Sequence, residues 1–288
     1  MYYSPILFSE IADLNLTPYH DCMIDMQYLN SKENIIIYCL HSMSYIEKMD
    51  FFLDEVKRPF IFITAMEDTQ LPLEISPGFI EKIKYNSFFR HWFSINKTIP
   101  NDSYFTSIPY GLDYWTLTQR PYFGENKQTF AYQNSNLEII TNNMSDFSTR
   151  IPKIYGNFHL HQTDERHGGW RRKLLSLIPR DIIYYQPSIV SRSESFQKMA
   201  NYSFVVSPFG HGFDCIRTFE ALCLGCIVIM KKSFLDVIYE DLPVLLVDEW
   251  SDINDILLKK TLEEFKCRKF NYKKLKMEYW IDLVKSKI

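Results

Sequence analysis

The chain has 288 residues, of which 46% are hydrophobic and 23% charged, and its formal net charge is −3. This length suffices for two domains of ordinary size, and the composition is that of a globular protein rather than a disordered one. The small net charge gives no overall attraction to nucleic acid or to an anionic membrane, so neither is expected as a partner.

The first half of the chain alternates between predicted strands and helices. The runs Ile35–Leu40 and Phe60–Ala65 are continuously apolar, as expected for parallel strands that are covered on both faces. A helix is predicted over Pro77–Trp92 and a short strand over Ser103–Ile108. Residues 119–148 are polar and rich in asparagine with only weak periodicity, which predicts a linker or a surface excursion.

The second half of the chain repeats this alternation. Helical segments separate its predicted strands, which are Lys153–His159, Asp181–Tyr185, Ser203–Val206, Cys226–Met230 and Val244–Val247. Alternation in both halves indicates an α/β fold with two Rossmann-like domains built on mostly parallel sheets. Ligands of such sheets bind beyond the carboxyl ends of the strands, so two domains that face each other leave a binding cleft between them.

The predicted domains are residues 1–150 and 151–265, followed by a basic tail, 266–288. Apolar and basic residues alternate in this tail at helical spacing, which predicts an amphipathic helix packed back on the body, with a helix on a membrane surface as the alternative. No apolar run reaches the roughly 18 residues of a membrane span, and the N-terminus does not resemble a signal peptide. We therefore expect a cytoplasmic protein.

The most informative segment is the glycine-rich loop between the strand at Ser203–Val206 and the next predicted helix. Gly210 and Gly212 let the backbone approach a ligand closely, and Asp214 is a suitable N-cap for the helix. Arg217 then falls in the first helical turn, where a cation is electrostatically unfavourable unless an anion binds there. Glu220 lies on the same helical face. Together these residues suit a nucleoside diphosphate, and a local ion pair between the charged residues is the alternative.

Metal ligands are not expected. Cys223 and Cys226 form a single C-x-x-C with no second pair, and the cysteines as a set predict buried thiols rather than disulfides. His159 and His161 share a face if they lie on a strand, but no cysteine or carboxylate cluster of fixed spacing accompanies them. The sequence also contains no Asp-x-Asp triplet.

The segment SPFGHGFDCIRTFEALCLGCIVIM, followed by DLPVLLVDEW, resembles the donor-binding half of exostosin-like glycosyltransferases. The resemblance is specific over Ser203–Trp250 and looser over His91–Asp113. Within the family, the sequence is most similar to the small xylosyltransferases of large algal viruses. Membership implies the GT-B architecture, in which two Rossmann-like domains enclose the active site. It also implies that residues 1–150 bind the acceptor and residues 151–265 bind the nucleotide sugar.

The resemblance implies roles for individual residues. Arg217 would contact the donor phosphates, Glu220 the ribose hydroxyls, and Arg166 would neutralise the departing diphosphate. The remaining residues expected against the donor are Pro208, Gly210, His211, Gly212, Phe213 and Asp214. Fixed cations and a helix N-terminus stabilise a leaving diphosphate, so no metal is expected.

An inverting transfer, as the resemblance implies, needs a base for the acceptor hydroxyl. Carboxylates and histidines that follow predicted strands of the first domain are the candidates, with Asp68 ranked first, then His41, Asp113 and Glu67. For each of them, a helix cap or a solvated loop residue is the alternative.

The sequence therefore predicts an inverting, metal-independent glycosyltransferase that moves xylose from UDP-xylose to a glycan acceptor such as fucose. UDP-galactose or UDP-glucuronate is the alternative donor. A binding module for glycans or nucleotides, without catalysis, is the alternative class.

Overall fold

A computed structural model describes residues 1–16, 24–40, 49–65, 68, 70–122, 124–160 and 170–288. The chain divides into two compact units. The N-terminal unit comprises Tyr3–Tyr110 and Met277–Ile288, and the C-terminal unit comprises Met1–Tyr2 and Gly111–Lys276. The domain boundaries predicted after residues 150 and 265 stay a prediction.

The N-terminal unit contains a parallel sheet whose strands follow one another in chain order, β1-β2-β3-β4-β5. These strands are β1 (Leu14–Leu16), β2 (Ile35–Leu40), β3 (Phe60–Ala65), β4 (Phe89–Ser94) and β5 (Phe105–Ser107). Every residue of β2 and β3 is buried, as their continuous apolar sequences predict. Aromatic rings dominate the core beside them, and Phe60 lies 5.2 Å from Phe52 and 5.3 Å from Phe62 between ring centroids.

Short helices accompany this sheet. They are Met26–Ser31, Asp50–Glu55, Pro77–Tyr85 and Met277–Lys285, with a 3-10 helix at Pro5–Glu10. The predicted amphipathic helix of the basic tail is present as Met277–Lys285, and its Trp280 ring packs 5.4 Å from the Tyr3 ring. Among the described residues, no helix is both long and apolar enough to cross a membrane.

The helix predicted over Pro77–Trp92 is wrong in its second half. The helix ends at Tyr85, Asn86 is extended, and Phe89–Ser94 forms β4. The Asn86 side chain donates to the carbonyl of Leu53 at 2.8 Å and accepts from the backbone of Phe88 at 2.9 Å. These bonds stabilise a turn in place of another helical turn, as short amide side chains commonly do.

The C-terminal unit contains a second parallel sheet with the order β10-β9-β8-β6-β7. Its strands are β6 (Ile151–Gly156), β7 (Ile183–Tyr185), β8 (Tyr202–Val206), β9 (Ile227–Lys231) and β10 (Val244–Val247). Its helices are Trp115–Gln119, Phe130–Asn143, Trp170–Leu177, Arg192–Met199, Ile216–Cys223, Asp236–Tyr239 and Asp255–Lys266. The chain runs from β6 to β7 on one side and then returns to β8 on the other side of β6, so the strand order reverses there.

The linker predicted over residues 119–148 is wrong, because Phe130–Asn143 is a helix. Its hydrophobic periodicity is weak because polar side chains, Gln133 and Asn134, supply much of its buried face. Gln133 donates to the carbonyl of Tyr114 at 2.9 Å, and Asn134 accepts from the backbone of Tyr2 at 2.9 Å. The predicted α/β fold class, with two parallel sheets, is confirmed.

Candidate functional site

The candidate site lies at the carboxyl ends of β6 and β8, within the C-terminal unit. The chain leaves β6 through helix Trp170–Leu177 toward β7, and it leaves β8 through helix Ile216–Cys223 toward β9. Because β7 and β9 lie on opposite sides of the β6–β8 pair, the two connections diverge. A reversal of this kind opens a crevice, which is the usual ligand site of an open parallel sheet.

The loop after β8 folds back on itself before the helix begins. The Gly210 backbone N–H donates to the Gly212 carbonyl at 3.0 Å, and the rings of Phe209 and Phe213 pack edge to face 5.2 Å apart. A Cβ atom on Gly210 would lie 3.0 Å from Nη2 of Arg171. Glycine at this position therefore keeps room for that guanidinium.

Asp214 was predicted to be the N-cap of the helix, and this prediction is wrong. The helix starts at Ile216, and Cys215 is its N-cap without a side-chain hydrogen bond. The buried Asp214 carboxylate instead accepts from the Cys215 backbone at 2.8 Å and from the Tyr239 hydroxyl at 2.6 Å. These bonds anchor the loop to the body of the unit, so Asp214 shapes the site.

Arg217 reaches from the helix to the loop after β6. Its Nε donates to Oδ1 of Asn157 at 2.6 Å, and its guanidinium lies 5.6 Å from the centre of the Phe158 ring. Its Nη1 atom is buried and has no hydrogen-bond partner among the described residues. Burial is the main cause of a lowered pKa for Arg217, and the nearby charge of Arg171 lowers this pKa further.

Arg171 is a second cation at this crevice. It is buried, and its Nε donates to the carbonyl of Phe209 at 2.9 Å, which holds the guanidinium against the glycine-rich loop. Its Nη1 donates to the carbonyl of His159 at 3.4 Å. Arg171 therefore joins the loops that follow β6 and β8.

The two guanidinium groups of the crevice have no ion-pair partner within the described part of the chain. No carboxylate of those residues forms an ion pair with Arg171 or Arg217. The Tyr185 hydroxyl donates to the Phe158 carbonyl at 2.6 Å, and burial raises the pKa of Tyr185 while the charges of both arginines oppose that rise. Two guanidinium groups without an ion-paired carboxylate among the described residues, beside the N-terminus of an eight-residue helix, form an environment for an anion.

Glu220 forms a buried ion pair. Its Oε1 accepts from Nε of Arg192 at 3.1 Å and lies 3.1 Å from Nη2 of the same guanidinium. Arg192 also donates from Nη1 to the Asp113 carbonyl at 2.8 Å and to Gln133 at 3.2 Å. The second carboxylate oxygen of Glu220 accepts no hydrogen bond from the described residues, so it keeps acceptor capacity for a ligand hydroxyl.

The other predicted donor residues lie on the same loop. Pro208 is buried and its carbonyl accepts from the Cys215 thiol at 3.4 Å, whereas His211 is exposed and Phe213 is half-buried. Arg166 lies outside the described residues. The structure therefore brings Pro208–Asp214 and Arg217 to one crevice and adds Arg171, which the sequence reasoning missed.

The candidate bases stay predictions. Asp68 is half-buried in the loop after β3, and His41 and Glu67 lie outside the described residues. Asp113 is buried in the C-terminal unit, where its Oδ1 accepts from the backbone of Thr116, in the first turn of the helix Trp115–Gln119, at 2.9 Å. Within the described ranges, no group of three or more His, Cys, Asp or Glu side chains is placed to hold a metal ion.

A signal for Arg171 was present in the sequence. Like Arg217, it stands in the first turn of a helix that follows the carboxyl end of a strand, where a cation is electrostatically unfavourable. No comparable local signal marks Arg192, because its partner Glu220 lies 28 positions further along the chain.

No protein-family model matches the sequence, and no curated protein is detectably similar to it. Among solved structures, the chain is similar to an α1,3-fucosyltransferase, with 13% identity, a TM-score of 0.45 and coverage of 87% of this chain and 77% of the other. It is also similar to an α,α-trehalose-phosphate synthase (UDP-forming) from Burkholderia xenovorans, with 9% identity, a TM-score of 0.42 and coverage of 91% and 76%.

A third similar structure is WaaG, a glycosyltransferase involved in lipopolysaccharide biosynthesis, with 10% identity, a TM-score of 0.34 and coverage of 88% and 90%. At identities and TM-scores this low, these likenesses decide neither the family nor the activity. The resemblance to exostosin-like enzymes and to viral xylosyltransferases stays a prediction.

Proposed function

We propose that the chain is a glycosyltransferase that uses a UDP-sugar as its donor. The observation that carries this proposal is the pair of guanidinium groups, Arg171 and Arg217, at the reversal point of the C-terminal sheet. Neither is paired with a carboxylate among the described residues, and Nη1 of Arg217 is a buried donor without a partner there. A buried donor without a partner costs free energy that an incoming phosphate oxygen recovers.

The two arginines suit the diphosphate of such a donor. Hydrogen bonds from a guanidinium to phosphate oxygens are charge-assisted, and the N-terminal amides of helix Ile216–Cys223 add donors that the helix leaves without partners. When the glycosidic bond to the diphosphate breaks, negative charge grows on the β-phosphate. Cations already fixed by Asn157 and by the Phe209 carbonyl stabilise that charge without reorganisation.

Glu220 is the proposed ligand for the ribose hydroxyls. Its Oε1 is occupied by Arg192, which fixes the orientation of the carboxylate, and Oε2 is the oxygen assigned to the ribose. Because the ion pair with Arg192 is buried, replacing Glu220 by alanine also destabilises the fold. Glu220→Gln, which keeps the shape of the side chain, is the more informative variant.

The finer parts of the proposal rest on the resemblance described above. They are a metal-independent, inverting transfer, xylose as the sugar, and a glycan such as fucose as the acceptor. The acceptor hydroxyl oxygen attacks the anomeric carbon of the donor sugar, and a base takes the hydroxyl proton. The bond between the anomeric carbon and the β-phosphate oxygen breaks, and UDP leaves. Asp68, His41 and Asp113 remain the proposed candidates for this base.

The proposal is tested by UDP binding and UDP release. Calorimetric titration of the purified chain with UDP should give a one-to-one complex. Release of UDP from UDP-xylose, UDP-galactose, UDP-glucuronate and UDP-glucose is then measured with a mixture of glycan acceptors, with and without EDTA. We expect one donor to be preferred and its turnover to be insensitive to EDTA.

Each result has a distinct meaning. UDP binding without turnover of any donor supports the alternative class, a binding module without catalysis. Loss of turnover in EDTA contradicts the metal-independent part alone. If the chain binds no UDP, the assignment of the crevice is wrong.

A further inference from the structure

A large groove lies in the C-terminal unit away from the crevice. Its cavity volume is about 950 Å³, and it is lined by residues of helix Phe130–Asn143, of the segment after it, and of the starts of β6 and β8. The volume is near the upper end of the roughly 300–1,000 Å³ typical of small-ligand sites. The groove therefore has room for a ligand of several linked rings.

The groove starts at the amino ends of β6 and β8, whereas the crevice lies at their carboxyl ends. Tyr184 of β7 also lines the groove, but the next residue of that strand contacts the crevice, and successive side chains of a strand point to opposite faces of the sheet. Ile151 and Tyr202, which line the groove, are the first residues of β6 and β8, whereas Asn157 and Ser207 follow the last residues of these strands. A strand of six residues is about 17 Å long. A ligand in this groove therefore occupies a site separate from the proposed donor site.

Tyrosine rings form one wall of the groove. Tyr184 and Tyr202 both line it and stack with their ring centroids 5.9 Å apart and an angle of 19° between the ring planes. The buried Tyr155 ring packs behind them, 6.0 Å from Tyr184 and 5.4 Å from Tyr202. Such packing holds the two outer rings rigid, and rigid rings offer apolar contact area at a low cost in side-chain entropy.

Amide side chains stand near the rings. Asn143 and Asn201 donate their amide nitrogens to backbone carbonyls, at 2.7 and 3.0 Å, which directs their carbonyl oxygens elsewhere as acceptors. Gln197 is exposed, and its side chain makes no hydrogen bond with the described residues. Amides both donate and accept, as neighbouring hydroxyl groups of a ligand require.

The two cations that line the groove already have protein partners. Lys198 forms an ion pair with Glu194 at 2.8 Å, and Arg150 donates to the carbonyls of Ser145 and Leu224 at 2.8 and 2.9 Å. No aspartate or glutamate among the described residues lines the groove. A neutral ligand suits this lining better than an anion or a cation.

We propose that this groove binds a neutral oligosaccharide at a second, non-catalytic site. The apolar face of a sugar ring stacks on Tyr184 and Tyr202, and its hydroxyl groups bond to the amides of Asn143, Gln197 and Asn201. The inference deepens the proposed function, because it assigns an acceptor longer than one or two sugars. The binding itself rests on the groove alone.

The test titrates the full chain with neutral hexasaccharides of β-linked xylose, β-linked glucose and α-linked glucose, and with a hexagalacturonate as an acidic probe. At least one neutral hexasaccharide should bind, and more tightly than the acidic one. Tyr184→Ala should weaken that binding about tenfold or more, because the ring loses its buried contact area with the sugar. Gln197→Ala, which alters an exposed side chain, should weaken it less.

Tyr132→Ala is the matched control. Tyr132 is 55% exposed on helix Phe130–Asn143 and does not line the groove, so this variant should bind like the unaltered chain. Circular dichroism and the melting temperature verify folding of every variant. Tyr184→Ala should keep full UDP affinity, whereas Arg217→Met should lose UDP binding and keep the oligosaccharide.

Several results would overturn the proposal. These are no binding of any neutral hexasaccharide, equal binding by Tyr184→Ala, or tighter binding of the acidic probe. Light scattering that shows a dimer which Tyr184→Ala converts to a monomer would instead assign the groove to a second copy of the chain. If the unaltered chain binds the oligosaccharide but not UDP, the proposed function is wrong and the oligosaccharide site stands.

Discussion

Each unit has a cation beyond the carboxyl end of one of its strands, but the hydrogen-bond donors of the two cations are satisfied to different extents. In the N-terminal unit, Lys97 follows β4 and is fully buried, and its ammonium donates to the carbonyls of Ile99 and Pro100 and to the Asn101 side chain. All three of its donors have protein acceptors. In the C-terminal unit, Arg217 keeps one buried donor without an acceptor among the described residues.

The strand orders of the two sheets differ as well, and the difference bears on where a ligand can bind. The described strands of the N-terminal sheet follow chain order without a reversal, whereas the C-terminal sheet reverses at β6 and β8, so its loops diverge and leave a crevice. A cation with a full set of protein acceptors stabilises the fold, and a cation with spare donors at a crevice can bind a ligand. Burial alone therefore does not identify a cation that binds a ligand. The number of its hydrogen-bond donors that lack a protein acceptor is more informative.

The largest expected effect tests the structural half of this comparison. Lys97→Met removes the ammonium and leaves its acceptors without their donor, so we expect a loss of about 3 kcal/mol in the free energy of unfolding. Urea titration measures this loss. Lys82→Met is the control, because the partly exposed Lys82 pairs with Asp50 and Asp54 at the surface and its loss should cost less than about 1 kcal/mol.

If Lys97→Met changes the free energy of unfolding only slightly, the acceptors of Lys97 are satisfied without its ammonium. The contrast between a structural Lys97 and a ligand-binding Arg217 would then be wrong.

Arg217→Met tests the binding half of the comparison. Loss of its charge-assisted bonds to phosphate should weaken UDP binding about 100-fold, measured by calorimetry. The free energy of unfolding should change by less than about 1 kcal/mol, because the variant also removes a buried donor that has no described partner. Arg172→Met is the matched control, since the neighbouring Arg172 is exposed and donates only to the Leu160 carbonyl among the described residues.

If Arg217→Met instead unfolds the protein while Arg217→Lys restores folding but not UDP binding, the guanidinium has both roles. If UDP affinity is unchanged in a folded Arg217→Met variant, the crevice does not bind the diphosphate.

Local patterns in the sequence predicted much of the C-terminal unit. Continuous apolar runs indicated β8 and β9, and the glycines together with Arg217 indicated the loop and its candidate anion site. The sequence did not predict the buried polar face of helix Phe130–Asn143, because its periodic apolar signal is absent. It also missed Arg192 and its pairing with Glu220, since contacts between distant segments depend on a strand order that periodicity does not encode.

A pH effect should distinguish the two units further. His91 in the N-terminal unit is 1% exposed, and burial, aided by the charge of Lys287, lowers its pKa to about 4. Its Nδ1 bonds to the Ser103 carbonyl at 3.1 Å and its Nε2 to the Thr106 hydroxyl at 2.8 Å. Because the unfolded chain protonates near pH 6.5 and the folded one near 4, the unfolded state binds more protons between these values.

Stability should therefore fall as the pH drops through this window, by about 2 kcal/mol between pH 7.5 and 5. Urea titrations at a series of pH values measure the fall. The asparagine side chain in His91→Asn does not titrate. This variant should be less stable at pH 7.5, but its free energy of unfolding should fall much less on acidification. An unchanged slope in that variant would assign the pH dependence to another group.

The smallest expected effect concerns Gly210. A methyl group there would lie 3.0 Å from Nη2 of Arg171 and 3.3 Å from the Cys215 sulfur, so Gly210→Ala should displace the end of the guanidinium while leaving the backbone in place. Loss of one well-placed charged donor corresponds to about a tenfold weaker UDP affinity. Gly78→Ala is the control, since a methyl group there meets only the Ser76 hydroxyl at 3.8 Å. An unaltered UDP affinity in Gly210→Ala would show that Arg171 does not contact the phosphates and would leave Arg217 as the crevice's sole binding cation among the described residues.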